Sequence, residues 1–259
     1  MATRTGWTRQ QLLVAFKLYC QIPFGKFHTS NPDIIKYAEW INRTPSALSM
    51  KLSNIASLDP AITSTGRKGL KAASAADKAM WEEMQSNWES FAIETQKAVS
   101  SFGTTDETET DLDHDPILDK VADYTGSDKT VQTTTRIGQN FFRRSVLSAY
   151  DGQCCITGLA IPKLLIASHI VPWRNDAANR LNPQNGLCLS MLHDKAFDIG
   201  IITIAKDMTV RVSRKHKAKS DYFFDTALLA YDGKPISLPD KFRPSEEFLT
   251  YHRQNVFES

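Results

Sequence analysis

The sequence predicts an α+β protein, with a helical N-terminal domain and a C-terminal domain that combines short strands with helices. Residues 1–100 carry apolar residues at helical spacing, whereas residues 164–204 contain two short apolar runs followed by a helical stretch. Between them the composition turns polar and acidic. We therefore expect domains at 1–100 and 136–259, joined by an acidic linker over 101–135. At 259 residues with 41% hydrophobic side chains, the chain can bury a core in each domain.

Composition also suggests where the protein acts. The first residues are polar, and no apolar run approaches the roughly 18–20 residues of a membrane span. The chain has four cysteines, which we expect to be reduced rather than joined in disulfide bonds. We expect a cytoplasmic protein with reduced thiols and no membrane association. The formal net charge of +2 does not by itself announce a nucleic-acid partner, since an acidic linker can offset a basic face.

Three helix starts are recognisable in the N-terminal domain. Thr8 is a candidate cap for a helix from Arg9 to Tyr19, and Asn31 precedes a helix that Pro32 opens. Thr44 and Pro45 start a third helix, which runs through Leu48, Met50, Leu52 and Ile55. Short helices, a tight turn and a third helix rich in small polar residues favour a helix-turn-helix arrangement.

That arrangement predicts a DNA-recognition domain. Exposed polar side chains of the third helix could meet base edges, and four cations could meet phosphates: Arg43, Lys51, Arg67 and Lys68. The alternative is an ordinary three-helix bundle with a solvated face. A further helix is expected from Ser74 to about Lys97, with aromatic residues at helical spacing that we assign to the core: Trp81, Trp88 and Phe91.

The linker is defined by its charge. Serine, threonine and six acidic residues dominate 101–115, which is typical of a solvated connection. A calcium-binding loop is the alternative, but the segment lacks the required glycine and spacing.

The second domain contains the chemically informative stretch. An apolar strand, 164–167, delivers Ser168 and His169, and Pro172-Trp173 ends it. A polar loop leads to Asn185-Gly186 and a second apolar strand, 187–189, and a helix then carries His193. Two strands and a helix therefore present one histidine at a strand end and another on the helix.

This stretch resembles the HNH endonuclease family, particularly bacterial restriction-type members with the pattern S-H-I-x-P-W, N-G-L and H-x-x-x-F-D. The resemblance covers about residues 136–212, and the three letters of the name fall on His169, Asn185 and His193. It implies a ββα-metal fold and hydrolysis of DNA phosphodiesters. The alternative is a pair of core histidines in a non-catalytic fold.

The resemblance also implies roles for these residues. His169 would be the base that activates water, as a neutral imidazole can near pH 7. His193 would bind a divalent cation, Mg²⁺, Mn²⁺ or a close relative, and Asn185 would tie down the loop that orients the base.

One residue departs from the family pattern. Ser168 stands where many relatives have an aspartate or histidine that binds the metal, so it is a weak neutral ligand at best. Asp198 is the first candidate to replace that carboxylate and Asp194 the second. The alternative for Asp198 is a place in the turn that ends the helix. A structural zinc is not expected, because C-x-x-C pairs are lacking; we assign Cys154, Cys155 and Cys188 to packed thiols.

Further candidates for DNA contact flank the site. Trp173 and Arg174 follow the base, and a basic run contains Arg214, Lys215 and Lys217. The alternative for Trp173 is burial in the core, and the alternative for the basic run is a solvated hairpin edge. Together these features predict a DNA endonuclease of restriction or anti-phage defence that acts on double-stranded DNA as a homodimer. The resemblance leaves open a dependence on modified cytosine, because some HNH proteins require it. A non-catalytic DNA-binding regulator with a degenerate HNH unit and a sequence-nonspecific nuclease are the competing hypotheses.

Overall fold

The computed structural model describes residues 6–66, 72–102, 129–215 and 221–259, with only the backbone for 129–134. The chain divides into two compact units, Met1–Arg144 and Ser145–Ser259. Helices and small antiparallel sheets are both present, as the α+β prediction requires. Most of the expected acidic linker, 103–128, lies outside the described residues, and the chain is helical from Lys129.

In the described residues before 103, the first unit contains six α-helices. Their bounds are α1 (Arg9–Gln21), α2 (Pro32–Trp40), α3 (Pro45–Ala56), α4 (Pro60–Thr63), α5 (Ala75–Ser86) and α6 (Trp88–Ser101). The three predicted helix starts are confirmed: side-chain oxygens of Thr8, Asn31 and Thr44 each accept a backbone N–H of the first turn.

The single helix expected from Ser74 to about Lys97 is wrong. Asn87 adopts a non-helical conformation between α5 and α6, and its side chain caps α6 by accepting the Ser90 N–H at 2.9 Å. Asparagine favours such caps because its side chain competes with helical backbone hydrogen bonding. The break is therefore encoded in one residue within an otherwise helical pattern.

The core of this unit lies between α1, α3 and α6. Trp88 and Phe91 are buried, as expected, and Phe91 meets Phe16 of α1 edge to face at 6.3 Å between ring centres. Met50 was expected in the apolar stripe of α3, but it is 54% exposed. Leu48, Leu52 and Ile55 form the buried stripe at i, i+4 and i+7, which turns position 50 outward.

The second unit is organised around a β-hairpin and the helix that follows it. Helix α7 (Lys129–Ala149) begins in the first unit and ends in the second. Strands β1 (Leu165–His169) and β2 (Gly186–Ser190) pair antiparallel, and α8 (Met191–Asp198) packs on both strands. The remaining elements are β3 (Ile202–Ile204), β4 (Val210–Val212), α9 (Tyr222–Ala227) and α10 (Glu246–Asn255). Strands β3 and β4 form a separate antiparallel pair.

A buried histidine ties α10 to α8 and β3. His252 stacks on Phe197 with 3.6 Å between ring centres, Nε2 lies 3.0 Å from the Phe197 carbonyl oxygen, and Nδ1 lies 2.8 Å from Thr203 Oγ1. Both ring nitrogens are therefore satisfied inside the protein. Burial lowers the pKa of His252 to about 4, an effect that the Phe197 carbonyl opposes.

The turn after α8 brings the backbone into close contact with the C-terminal segment. Gly200 has φ of +77°, and its carbonyl accepts the Glu258 N–H at 3.0 Å. A Cβ at this position would collide with the Val256 carbonyl. Glycine is required here on both grounds.

None of the helices in the described ranges combines the length and the apolar character needed to cross a membrane.

Candidate active site

The hairpin places the first histidine at an edge of the sheet. His169 is the last residue of β1 and lies opposite Gly186, the first residue of β2. The apolar run of β1 forms the strand, and Pro172, which has no N–H to donate, stands just beyond its end. The imidazole therefore sits where the chain leaves the hairpin to form the loop 170–185.

The imidazole of His169 is held by the backbone of that loop. Its Nε2 lies 2.9 Å from the carbonyl oxygen of Arg180. A carbonyl only accepts, so Nε2 carries the proton and the lone pair of the neutral ring belongs to Nδ1. The ring also meets the edge of Trp173 at 5.4 Å between centres. Burial lowers the pKa of His169 to about 4, opposed by the Arg180 carbonyl, so the ring is neutral at pH 7.

Asn185 fastens both ends of the loop. Its Oδ1 accepts the Val171 N–H at 2.8 Å, and its Nδ2 lies 3.3 Å from the carbonyl oxygens of Val171 and Asn179. Its own carbonyl accepts the Ile170 N–H at 2.9 Å. Because the Asn185 side chain is buried, water could not take its place as the hydrogen-bond partner of these backbone groups. Asn185 thus holds the segment that carries the partner of His169.

The second histidine lies at the start of α8. Ser190 caps this helix, and its Oγ lies 2.8 Å from Nδ1 of His193. Nε2 is buried and has no hydrogen-bond partner within the described ranges. When Nδ1 donates to Ser190, Nε2 carries a lone pair, the form in which imidazole binds a metal.

Two neighbours enclose His193 on its other sides. The ring of Tyr231 packs perpendicular to it at 5.4 Å between centres. Burial lowers the pKa of His193, and the nearby backbone of Ala227 partly offsets that decrease. The lowered pKa keeps the ring neutral at pH 7, the charge state in which an imidazole can bind a metal.

Ser168 is also buried, and its Oγ has no hydrogen-bond partner among the described residues. An unsatisfied buried hydroxyl is costly, by about 1–3 kcal/mol, and calls for an explanation such as an ion or a water. Within the described ranges, no three His, Cys, Asp or Glu side chains could together hold a metal ion. The residues therefore fit a cation that takes one imidazole nitrogen, at most one hydroxyl, and oxygens of water and phosphate.

Asp198, our first candidate for the replacement carboxylate, is the last residue of α8. It lies five residues after His193, and ideal helical spacing directs the two side chains about 140° apart. His193 is buried, whereas Asp198 is exposed. The ligand role of Asp198 stays a prediction, which the helical spacing does not favour. Asp194 follows His193 directly and is half-buried.

The cysteines of this unit are packed in its interior. Cys154, Cys155 and Cys188 are buried free thiols, and the Cys155 N–H donates to the Cys188 carbonyl at 2.8 Å. Burial raises the pKa of the Cys155 thiol, with Cys154 and Cys188 acting in the same direction. The Cys155 thiol is therefore protonated at neutral pH. All three side chains contribute as small apolar groups.

Two of the predicted phosphate contacts in the first unit serve its own structure. Lys51 is buried, and its Nζ lies 2.7 Å and 2.9 Å from the carboxylate oxygens of Asp77. Arg43 donates to Gln11 and to the Gly6 carbonyl and lies over the Trp7 ring, 5.1 Å from its centre. Lys51 cannot reach a phosphate without breaking a buried ion pair, so we withdraw it from the DNA-contacting set.

The other predicted contacts have different surroundings. Arg174 and Lys215 are exposed, and Trp173 is half-buried against His169. Arg214 is exposed but pairs with Asp232 at 2.8 Å. The rest lie outside the described residues: Arg67, Lys68 and Lys217.

Sequence reasoning missed Arg180, Ser190 and Tyr231. The cap before α8 was readable, because serine three residues before the His193 N–H is a standard helix start. Arg180 and Tyr231 left no local signal. The contact of Arg180 with His169 depends on the folded conformation of the hairpin loop, and the contact of Tyr231 with His193 joins residues far apart in the sequence.

The comparison with protein families agrees with this geometry. Residues 154–205 match the model of the HNH endonuclease family. The matched range contains both strands of the hairpin, the loop between them and α8. Among curated proteins none matches the chain. HNH nucleases generally use divalent metal ions, which is consistent with the unpartnered nitrogen of His193. The segment 154–205 is thus a domain of the HNH endonuclease family.

Proposed function

We propose that this chain is a divalent-metal-dependent DNA endonuclease in which His169 activates the attacking water. The observation that carries the proposal is the 2.9 Å contact between His169 Nε2 and the Arg180 carbonyl oxygen. It assigns the ring proton to Nε2 and leaves Nδ1 as the basic atom, in a ring that burial keeps neutral.

The chemical step follows from that protonation state. His169 Nδ1 takes a proton from a water whose oxygen attacks the phosphorus of a DNA phosphodiester. The bond from phosphorus to the leaving oxygen breaks, and that oxygen gains a proton from solvent. The imidazolium then returns its proton to solvent. Asn185 contributes by holding the loop, so the ring is oriented before the substrate arrives.

A divalent cation, Mg²⁺ or Mn²⁺, would be held by His193 Nε2, with Ser168 Oγ as a further candidate donor. When bound, it supplies positive charge that offsets the charge developing on the phosphate and the leaving oxygen. Both donor atoms are buried and without a hydrogen-bond partner in the described part of the chain, which supports this assignment.

The first unit would recognise the DNA. Helix α3 follows α2 after a four-residue turn and presents Ser46 and Met50 to solvent, a surface suited to base edges. Arg174 and Lys215 would contact the phosphate backbone near the cleavage site. Because one HNH site cuts one strand, cleavage of both strands suggests a homodimer. A DNA-recognition unit in the same chain as a nuclease domain is suited to restriction or anti-phage defence.

Plasmid digestion tests this function. The full chain is incubated with supercoiled plasmid carrying unmodified or modified cytosine, in Mg²⁺, Mn²⁺ or EDTA, and the cut ends are sequenced. We expect cleavage only with a metal, at ends that share a sequence or a modification. Binding without cleavage in either metal would support the non-catalytic regulator instead, and random ends would support a sequence-nonspecific nuclease.

A further inference from the structure

Arg180 approaches the candidate base in two ways. Its carbonyl oxygen accepts from His169 Nε2, and its guanidinium lies over the Trp173 ring, 5.1 Å from the ring centre. Trp173 in turn meets His169 edge to face. The guanidinium is therefore one indole ring away from the imidazole.

That guanidinium has no acceptor in the described part of the chain. Its Nε is buried without a hydrogen-bond partner, and no carboxylate pairs with it there. The acid of the same loop is already engaged: Asp176 accepts from the backbone and the side chain of Asn179, at 3.1 Å and 2.7 Å. A buried N–H of a charged group is costly without an acceptor, so this guanidinium is suited to bind an anion.

The backbone on both sides of Arg180 is held by hydrogen bonds. Besides the Asp176–Asn179 pair, the Asn182 N–H donates to the Asn179 carbonyl at 3.2 Å, and Asn185 Nδ2 donates to the same carbonyl at 3.3 Å. Arg180 lies between these linked Asn and Asp residues. Its backbone is therefore supported without a ligand, which favours a preorganised donor.

We propose that Arg180 is a catalytic residue that donates hydrogen bonds to a non-bridging oxygen of the scissile phosphate. This inference rests on the proposed function. The attacking water would lie between His169 and the phosphorus atom, so the phosphate would lie about 6 Å from the imidazole. This distance is similar to the width of the Trp173 indole ring, which separates the imidazole from the Arg180 guanidinium. A guanidinium fork matches phosphate oxygens and keeps its charge at any working pH. Trp173 then serves as the platform between the base and the phosphate donor.

The test compares Arg180→Met, Arg180→Lys and the matched control Arg136→Met, which changes an exposed arginine of α7. Methionine keeps an apolar stem over Trp173 and removes every donor. Single-turnover cleavage of plasmid, DNA affinity between 50 and 200 mM salt (roughly the range in which phosphate contacts are resolved), and thermal stability are measured for each. We expect Arg180→Met to cleave about 100-fold more slowly and Arg180→Lys to recover part of that loss. The control should cleave as wild type does.

The salt dependence separates a phosphate contact from a purely structural role. Loss of one phosphate contact lowers the slope of log affinity against log salt by about 1, whereas a loosened loop leaves the slope unchanged. An Arg180→Met protein that cleaves at the wild-type rate, or cleaves slowly with an unchanged slope, overturns the assignment and leaves the proposed function standing. A wild-type chain that cleaves in neither metal overturns both.

Discussion

The Nε2 of His169 and the carbonyl oxygen of Arg180 lie 2.9 Å apart, across eleven residues of chain. This contact decides which nitrogen of the imidazole carries the proton. The loop that provides the carbonyl is itself held by Asn185. In the proposed function, Asn185 therefore controls the orientation of the base although it takes no part in proton transfer.

Replacing Asn185 with alanine should slow DNA cleavage by at least about 10-fold and change DNA affinity by less than about 2-fold. The backbone groups of Val171 lose their buried partner, so the loop that carries the Arg180 carbonyl is no longer held. The same loss should lower the free energy of unfolding by about 1–3 kcal/mol. Asn255→Ala, at an exposed position of α10, is the control. Wild-type cleavage by Asn185→Ala would show that the loop does not orient the base.

Lys51 should affect the stability of the first unit rather than its affinity for DNA. Removing one partner of a buried ion pair leaves an uncompensated charge, so Lys51→Met should lower the free energy of unfolding by about 3–5 kcal/mol. The double variant Lys51→Met/Asp77→Leu should recover most of the loss, because no buried charge remains. Urea denaturation measures both. A Lys51→Met protein with wild-type stability and weakened DNA binding would restore Lys51 as a phosphate contact.

His252 should make the free energy of unfolding decrease as the pH is lowered from about 6.5 to about 4. Its pKa is about 4 when folded and about 6.5 in the unfolded chain, so the unfolded state binds the extra proton first. The contribution of the neutral ring is complete above pH 6.5 and is lost as the pH falls towards 4, by about 3 kcal/mol in total.

Comparison with His252→Gln isolates this residue from other titrating groups. Wild type should be the more stable protein at pH 7, and the difference should shrink as the pH is lowered from 7 to 4. A difference that is constant over this range would rule out the titration of His252 as its cause.

Gly200→Ala should be more damaging than the same change at Gly158. Both residues have positive φ, +77° and +72°, so each pays the strain of the left-handed region, about 1–2 kcal/mol. Only at Gly200 does the new Cβ meet backbone, at Val256, whereas Gly158 faces open space. Gly200→Ala should therefore lose more than about 2 kcal/mol of unfolding free energy. Equal losses in the two variants, measured by chemical denaturation, would contradict the predicted collision.

The sequence was informative where structure is decided locally. Caps at Thr8, Asn31 and Thr44 located the starts of α1 to α3, because capping needs only a side chain and the first turn. The strand–strand–helix order around His169 and His193 was readable for the same reason.

The sequence was less informative where the surroundings of a side chain depend on residues distant in sequence or on the side of a helix that it occupies. Lys51 looked like a free cation because Asp77 lies 26 residues away. The ligand role of Asp198 stays a prediction, and the helical spacing within α8, which directs its side chain away from that of His193, counts against it. Arg180 carried no signal, since its position depends on hydrogen bonds within the folded loop.

The most direct test of the account is the cleavage rate of His169→Ala, measured under single-turnover conditions with DNA binding checked in parallel. Removing a general base should lower the rate by about 100-fold or more while affinity stays within about 2-fold of wild type. His28→Ala, which changes an exposed histidine of the first unit, should cleave normally. Cleavage by His169→Ala at the wild-type rate would contradict the claim that this imidazole activates water.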